Sequence, residues 1–153
     1  MAVKDRLAMV ELAIRHDPDF LLSEFETSRE GNTYTAQTLR LLKEAYPQHE
    51  FFFIIGADSL YEIEYWYHPE KIIGVVPILV ADREYSREHR EIDEQILYLK
   101  KKYQGEILKL HCREVDVASK EIRQLVRDGH SVENYLPEEV EKYIISHHLY
   151  QEA

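Results

Sequence analysis

Residues 51–58, Phe-Phe-Phe-Ile-Ile-Gly-Ala-Asp, constrain the fold more than any other stretch. Five consecutive apolar residues, each aromatic or β-branched, stand between Glu50 and Gly56. A run this short and unbroken matches a strand buried on both faces, whereas polar residues would interrupt an amphipathic helix. Gly56 allows a sharp turn or a close backbone approach to a ligand. Asp58 then falls at the carboxyl end of the strand, where open α/β sheets bind their ligands. Two readings satisfy the octapeptide: a core strand followed by a turn glycine and a solvated aspartate, or one wall of a site.

The rest of the chain alternates around it. Val3, Leu7, Val10 and Ile14 recur at helical spacing and predict a helix over 4–16, ended by Pro18. Residues 20–25 read as a short strand and 27–33 as a polar loop containing Gly31. Thr35 is placed to cap a helix over 35–45 that buries Leu39 and Leu42, and Pro47 closes that segment. After Asp58 come Tyr61, Tyr65, Trp66, Tyr67 and His68, then Pro69 and a short helix. Residues 75–81 form an apolar strand with Pro77 near its start, where the ladder lacks one donor. Ile92, Ile96, Leu99 and Tyr103 mark a long helix, and 106–110 a strand. Residues 120–127 form a helix with Ser119 as its cap and Gly129 as its C-terminal glycine. Pro137 opens a last helix with Val140, Ile144 and His147 along one face. Strands alternating with helices predict a parallel α/β sheet with right-handed crossovers, in one domain over 1–153.

Composition narrows the function classes. The chain is acidic, with a formal net charge of −10, which argues against nucleic acid or an anionic membrane as partner. Its dense basic run, Lys100-Lys101-Lys102, ends a predicted helix and complements the helix dipole. Cys112 is the sole cysteine, so the chain forms no internal disulfide and no cysteine metal cluster; it reads as a small strand-associated hydrophobe in a cytoplasmic protein. No apolar segment approaches the length of a membrane span, and the first residues lack the apolar core of a signal peptide.

Three places carry chemistry-bearing residues, each with a plainer alternative. Trp66-Tyr67 follows a strand's carboxyl end, where an indole either stacks on a planar ring or caps the core. Thr33-Tyr34-Thr35 opens a helix, whose outward N–H groups either favour a carboxylate or phosphate or are simply capped. Ser119, Lys120 and Arg123 combine a helix N-terminus with two cations, which cradles phosphates or solvates a surface helix. Arg123 lies one turn from Ser119, so the two share a face. The histidines do not suggest a metal: His147 and His148 are adjacent rather than at i, i+4, and the pair His16-Asp17 has no matching second set.

Taken in order, these stretches resemble bacterial nicotinate-nucleotide adenylyltransferase. The resemblance runs from Arg6-Leu7-Ala8-Met9-Val10-Glu11-Leu12-Ala13, through Tyr34-Thr35-Ala36-Gln37-Thr38-Leu39 and residues 51–58. It continues through Trp66-Tyr67 and residues 116–123 to Tyr135-Leu136-Pro137-Glu138 and His148-Leu149-Tyr150. It implies a Rossmann-like nucleotidyltransferase fold. The implied reaction transfers AMP from ATP to nicotinate mononucleotide, giving deamido-NAD and pyrophosphate, with Mg²⁺ accompanying the triphosphate. The mononucleotide phosphate attacks the α-phosphorus directly, so catalysis rests on positioning and electrostatic stabilisation.

The same resemblance assigns roles. Thr35 and Tyr67 offer backbone amides to the nicotinate carboxylate, and Trp66 stacks on the pyridine. Gly56 and Asp58 contact the nucleotide near the strand end, and Arg83 matches a basic position after the strand over 75–81. Ser119 and Arg123 meet the ATP phosphates, with Lys120 beside them. The chain departs from the family pattern at Gln37, where the family has aspartate, and at Ala118-Ser119-Lys120, where the family reads Ser-Ser-Thr. It also contains no His-x-Gly-His, the family's catalytic signature on its first strand and helix. The resemblance therefore implies that 1–153 is the C-terminal three quarters of the family domain, with Met1 an internal methionine. Such a polypeptide is expected to be inactive alone, of low stability, and to self-associate as a homo-oligomer or aggregate. Two other readings stay open. One is a non-catalytic nucleotide-binding or scaffold protein. The other is a different adenylyltransferase of the same fold, such as phosphopantetheine adenylyltransferase, against which Trp66-Tyr67 at this distance from Thr35 argues.

Overall fold

The structure, a computed structural model, describes residues 2–29, 31–81, 92–110 and 117–151. The expectations for Arg83 and Cys112 lie outside those residues. In chain order the elements are α1 (Val3–Ile14), α2 (Thr35–Ala45), β1 (Phe53–Gly56), α3 (Ala57–Glu62), a 3₁₀ turn (Ile63–Tyr65), α4 (Glu70–Ile73), β2 (Ile78–Ala81), α5 (Ile92–Tyr103), β3 (Ile107–Leu110), α6 (Ser119–Arg127) and α7 (Glu138–Ser146). The Cα packing falls into two compact units. One is Arg29–Glu114; the other joins Met1–Ser28 to Val115–Ala153.

The first unit holds a parallel sheet in the order β1-β2-β3, as expected for an α/β chain. Phe53 pairs with Ile78 and Ile78 with Ile107, and the register runs on to Gly56, Ala81 and Leu110. Period-2 alternation then sorts each strand by face. Ile55, Ile78, Val80 and Ile107 join Ala36, Leu39, Leu60, Ile63, Ile72, Ile73, Ile96 and Leu99 in one core cluster. The opposite row is less covered: Ile54 is 64% exposed and Leu108 40%. The expectation that residues 51–58 are buried on both faces is thus corrected. Among the described residues the helices of this unit pack on one face, and only the odd-numbered residues of β1 reach them.

Two boundaries shift for physical reasons. β2 starts at Ile78 rather than at residue 75, because Pro77 has no N–H to donate; its carbonyl still accepts from the Phe53 amide at 2.9 Å. Val75 and Val76 belong instead to the turn leaving α4, their amides donating to Ile72 O. Residues 20–25 do not form a strand: the segment pairs with none among the described residues, Phe20 is 62% exposed and Leu21 91%. An apolar run becomes a strand only where a neighbour completes its ladder.

In the second unit, Val126, Val132, Val140 and Ile144 form a separate cluster, against which Met9, Leu12, Ile122, Leu125, Leu136, Leu149 and Tyr150 pack. On α1, Asp5 is buried and Met9 and Leu12 pack on this cluster, while Val3 and Val10 of the helical-spacing set are exposed. Asp5 is buried because its carboxylate accepts the Tyr143 hydroxyl at 3.0 Å. That bond draws the 5-9-12 face of α1 onto α7 and turns Val3 and Val10 outward. α6 ends as expected: Gly129 has φ +74° and the His130 amide bonds Leu125 O at 2.9 Å, a Schellman closure. His147 is corrected: it lies beyond the end of α7 and is exposed, its ring stacked on Tyr143 at 3.9 Å.

Candidate functional site

In the unit Arg29–Glu114, Gly56 ends β1 and serves as the N-cap of α3. Its φ of −80° and ψ of 164° are open to any residue. Among the described residues, its chain neighbours aside, a Cβ built on it meets nothing within 4 Å. The fold therefore does not require glycine here, and the space above its Cα is open. Asp58 is exposed in the first turn of α3, where a carboxylate complements the helix dipole.

Past α3 the chain tightens through the turn Ile63–Tyr65 and emerges at Trp66, whose amide donates to Ile63 O at 3.1 Å. The indole is half-buried, its ring 6.3 Å from Phe53 at 67°. It thus rests on the core while keeping part of its surface in solvent, so capping and stacking are compatible. Tyr67 is 48% exposed, and its ring centroid stands 4.4 Å from that of Tyr34. This contact brings the N-terminus of α2 to the Trp66-Tyr67 segment. Sequence spacing alone would not join them.

Thr35 is the first residue of α2 and not its cap, which corrects the expected threonine cap. The extended Tyr34 (φ −111°, ψ 135°) takes the cap position, with no side-chain capping bond. Its carbonyl accepts from the amides of Gln37 and Thr38. With its ring against Tyr67, Tyr34 enters the helix one residue earlier than a threonine cap would. The N–H groups of this first turn lie outside the helical ladder and favour an anion.

A cavity of about 280 Å³ adjoins Tyr67 and is lined by Ala36, Gln37, Arg40, His68, Lys71 and Val75. Arg40 pairs with Glu44 at 2.6 Å, and His68 Nδ1 lies 2.8 Å from Glu70. The Glu70 carboxyl sits below its ordinary value, held there first by its own backbone amide and then by His68. His68 adopts φ +54°, a left-handed conformation that costs a histidine strain and turns the chain from Tyr67 into α4. Sequence reading missed the basic lining of this cavity, because Arg40 and Lys71 become neighbours only when α2 packs on α4.

In the other unit, Ser119 begins α6 and Ala118 takes the cap position. The Ser119 cap is thereby corrected: the Ala118 amide donates instead to the Glu121 carboxylate at 3.1 Å, the half of a capping box that needs no side chain on the cap residue. Ser119 and Arg123 line one cavity of about 400 Å³ with Arg6, Met9, Ile122, Val140 and Tyr150. Lys120 is exposed and lies off that lining. Arg6 is the basic residue that sequence reading overlooked; its position on α1 becomes informative only once α1 packs beside α7. Among the described residues no group of three or more His, Cys, Asp or Glu side chains is placed to hold a metal ion. No helix among them is long and apolar enough to cross a membrane.

Comparison with known proteins gives these features a setting. The cytidylyltransferase-like family model matches residues 1–134. A protein of Lachnoclostridium phytofermentans named "Probable nicotinate-nucleotide adenylyltransferase" is 41% identical over 145 residues, covering 95% of this chain and 72% of the relative. One of the same name from Clostridium botulinum strain Hall is 34% identical over 146 residues, covering 95% and 73%. Among solved structures, Plasmodium falciparum nicotinic acid mononucleotide adenylyltransferase complexed with NaAD superposes with a TM-score of 0.76 at 19% identity, covering 98% of this chain and 75% of that one. Its complex with APC superposes at 0.75. Those structures share the nucleotidyltransferase fold, and the sequence relatives share the lineage. The chain belongs to the cytidylyltransferase-like family, and within it to the nicotinate-nucleotide adenylyltransferases of NAD biosynthesis.

Proposed function

We propose that these residues form the nicotinate mononucleotide pocket and part of the ATP-phosphate site of such an adenylyltransferase. The reaction joins AMP from ATP to nicotinate mononucleotide and releases pyrophosphate. The observation that carries this reading is the Tyr34–Tyr67 ring contact, which sets the first turn of α2 beside Trp66-Tyr67. A pyridine carboxylate needs amide donors at one edge and an aromatic face beside them. Thr35 and Tyr67 supply the amides and Trp66 the face. The open space over Gly56 leaves room for the nucleotide at the end of β1, with Asp58 beside it. Arg83 completes the basic side of the substrate site in this reading.

Ser119 and Arg123 bind triphosphate oxygens, a hydroxyl and a fork of guanidinium donors at a helix N-terminus. Lys120 contributes long-range charge only. Mg²⁺ arrives with ATP and neutralises its phosphates. The protein's own part is to hold each substrate in a fixed pose.

The sequence 1–153 contains no His-x-Gly-His, so a polypeptide of these residues should bind nicotinate mononucleotide yet form almost no dinucleotide. Titration calorimetry with nicotinate mononucleotide and with ATP, followed by a pyrophosphate-release assay, tests this. Saturable mononucleotide binding that Trp66→Ala abolishes is the expected outcome. Normal binding by Trp66→Ala would overturn the pocket assignment, and brisk turnover by 1–153 would overturn the expected inactivity. Of the non-catalytic alternatives, a nucleotide-binding remnant would bind substrate without turnover, and a pure scaffold would bind neither.

A further inference from the structure

We infer that Glu64 is a positioning residue for Trp66, locking the turn that presents the indole to the substrate's pyridine ring. The inference rests on the stacking role proposed above. Glu64 is the middle residue of the turn Ile63–Tyr65, two positions before Trp66. On one side of it Ile63 is fully buried in the core; on the other Tyr65 is 90% exposed. Glu64 itself is 25% exposed, and one of its oxygens, Oε1, accepts three donors from α5. These are Lys102 Nζ at 2.5 Å, the Tyr103 hydroxyl at 3.0 Å and the Tyr98 hydroxyl at 3.3 Å. Lys102 Nζ also donates to the Tyr98 hydroxyl at 3.0 Å and stands 5.4 Å from both tyrosine ring centroids.

An isolated surface ion pair contributes little, because solvent screens it and two long side chains must be ordered. This cluster differs. The acceptor is largely covered, two of the donors are rigid phenols, and the cation bridges carboxylate and aromatic rings. Ile63 alone anchors the turn at one apolar point, about which the backbone can still roll. Glu64 adds a second, polar anchor to a different helix, which removes that freedom. Because the Trp66 amide is bonded to Ile63 O, whatever orients the turn orients the tryptophan backbone. A ring that must stack within van der Waals distance of a substrate depends on such support.

Trp66 is the only tryptophan, so its fluorescence reports this one position in the 1–153 chain. Glu64→Ala should red-shift the emission, raise quenching by acrylamide, and weaken nicotinate mononucleotide binding by about tenfold, the scale of a sub-ångström misplacement. ATP binding should not change. Glu64→Gln keeps an acceptor oxygen and should recover part of the affinity. Lys102→Met removes the strongest donor without touching the turn, and should act in the same direction where Glu64→Ala does not fold. A folded Glu64→Ala or Lys102→Met with wild-type emission, quenching and affinity would overturn the inference and leave Glu64 a purely structural tie. A wild-type chain that fails to bind nicotinate mononucleotide would instead overturn the pocket assignment, and the emission data would still show whether Glu64 fixes the indole.

Discussion

Gly56→Ala separates what the fold needs from what a ligand needs. At φ −80° and ψ 164°, with no described atom beyond the chain neighbours within 4 Å of the added Cβ, alanine fits the folded chain without strain. Its lower entropy when unfolded should then raise stability by about 0.4–1 kcal/mol. A nucleotide packed over the bare Cα would meet the new methyl group. Forcing one methyl group into a packed contact costs about 1–3 kcal/mol. That corresponds to a loss of roughly 5- to 150-fold in affinity. Urea unfolding and calorimetric titration with nicotinate mononucleotide and ATP read the two effects separately. The expected variant is as stable as wild type or more so, and binds at least one substrate less tightly. Undiminished affinity for both would remove Gly56 from the pocket wall, and a loss of stability would refute the open space above it.

Gly105→Ala should do the reverse: its Cβ would lie 2.1 Å from Ile73 O and 2.6 Å from Ile73 Cγ2, a backbone clash that a rotamer change cannot relieve. A loss of about 3 kcal/mol or more is expected, against a total of roughly 5–15, and an unshifted urea midpoint would contradict it. The Glu64 cluster should also shape the acid limb of stability. The Lys102 hydrogen bond, opposed by burial and aided by Tyr103 and Tyr98, holds the Glu64 carboxyl below its ordinary value of 4.5. A depressed folded-state value contributes stability that is complete above pH 4.5 and lost as pH falls through that depressed value. The difference in melting temperature between wild type and Glu64→Gln should therefore shrink only below pH 4.5. Lys102 is raised above its ordinary 10.5 chiefly by Glu64, so its contribution is complete below pH 10.5 and fades above it. Finally, Ile54→Lys should reduce self-association in light scattering while leaving the melting temperature nearly unchanged, since Ile54 is 64% exposed. A large fall in melting temperature would show that this face is packed after all.

Much of the fold was legible because it depends on local signals. The spacing of Ile92, Ile96, Leu99 and Tyr103 marked α5, and Gly129 marked the end of α6, since both reflect interactions within a few residues. The β1 run was legible as a strand for the same reason, though its coverage was not, because a strand's composition cannot say how many layers pack on it. Misreadings gathered where a distant partner decided the outcome. The Tyr143 hydroxyl holds Asp5 buried on α1, and among the described residues no neighbour pairs with 20–25, which carry no strand. The caps moved from Thr35 and Ser119 to Tyr34 and Ala118 because ring packing and the Glu121 carboxylate, rather than a hydroxyl, set those helix starts.

Sequence alone was enough for the parallel α/β class, most of the helices and the three strands of the sheet, and the chemistry available at Trp66-Tyr67, Gly56-Ala57-Asp58 and Ser119–Arg123. Local periodicity, proline and glycine punctuation, and residue type carry that information. Which of these residues become neighbours follows from the packing of the folded chain. It brought Tyr34 onto Tyr67 and gathered Tyr98, Lys102 and Tyr103 around Glu64. It also put Arg6 on the same cavity as Ser119 and Arg123. Those contacts join residues far apart in the chain, and they form only because burying the apolar faces of sheet and helices fixes where each polar group must go.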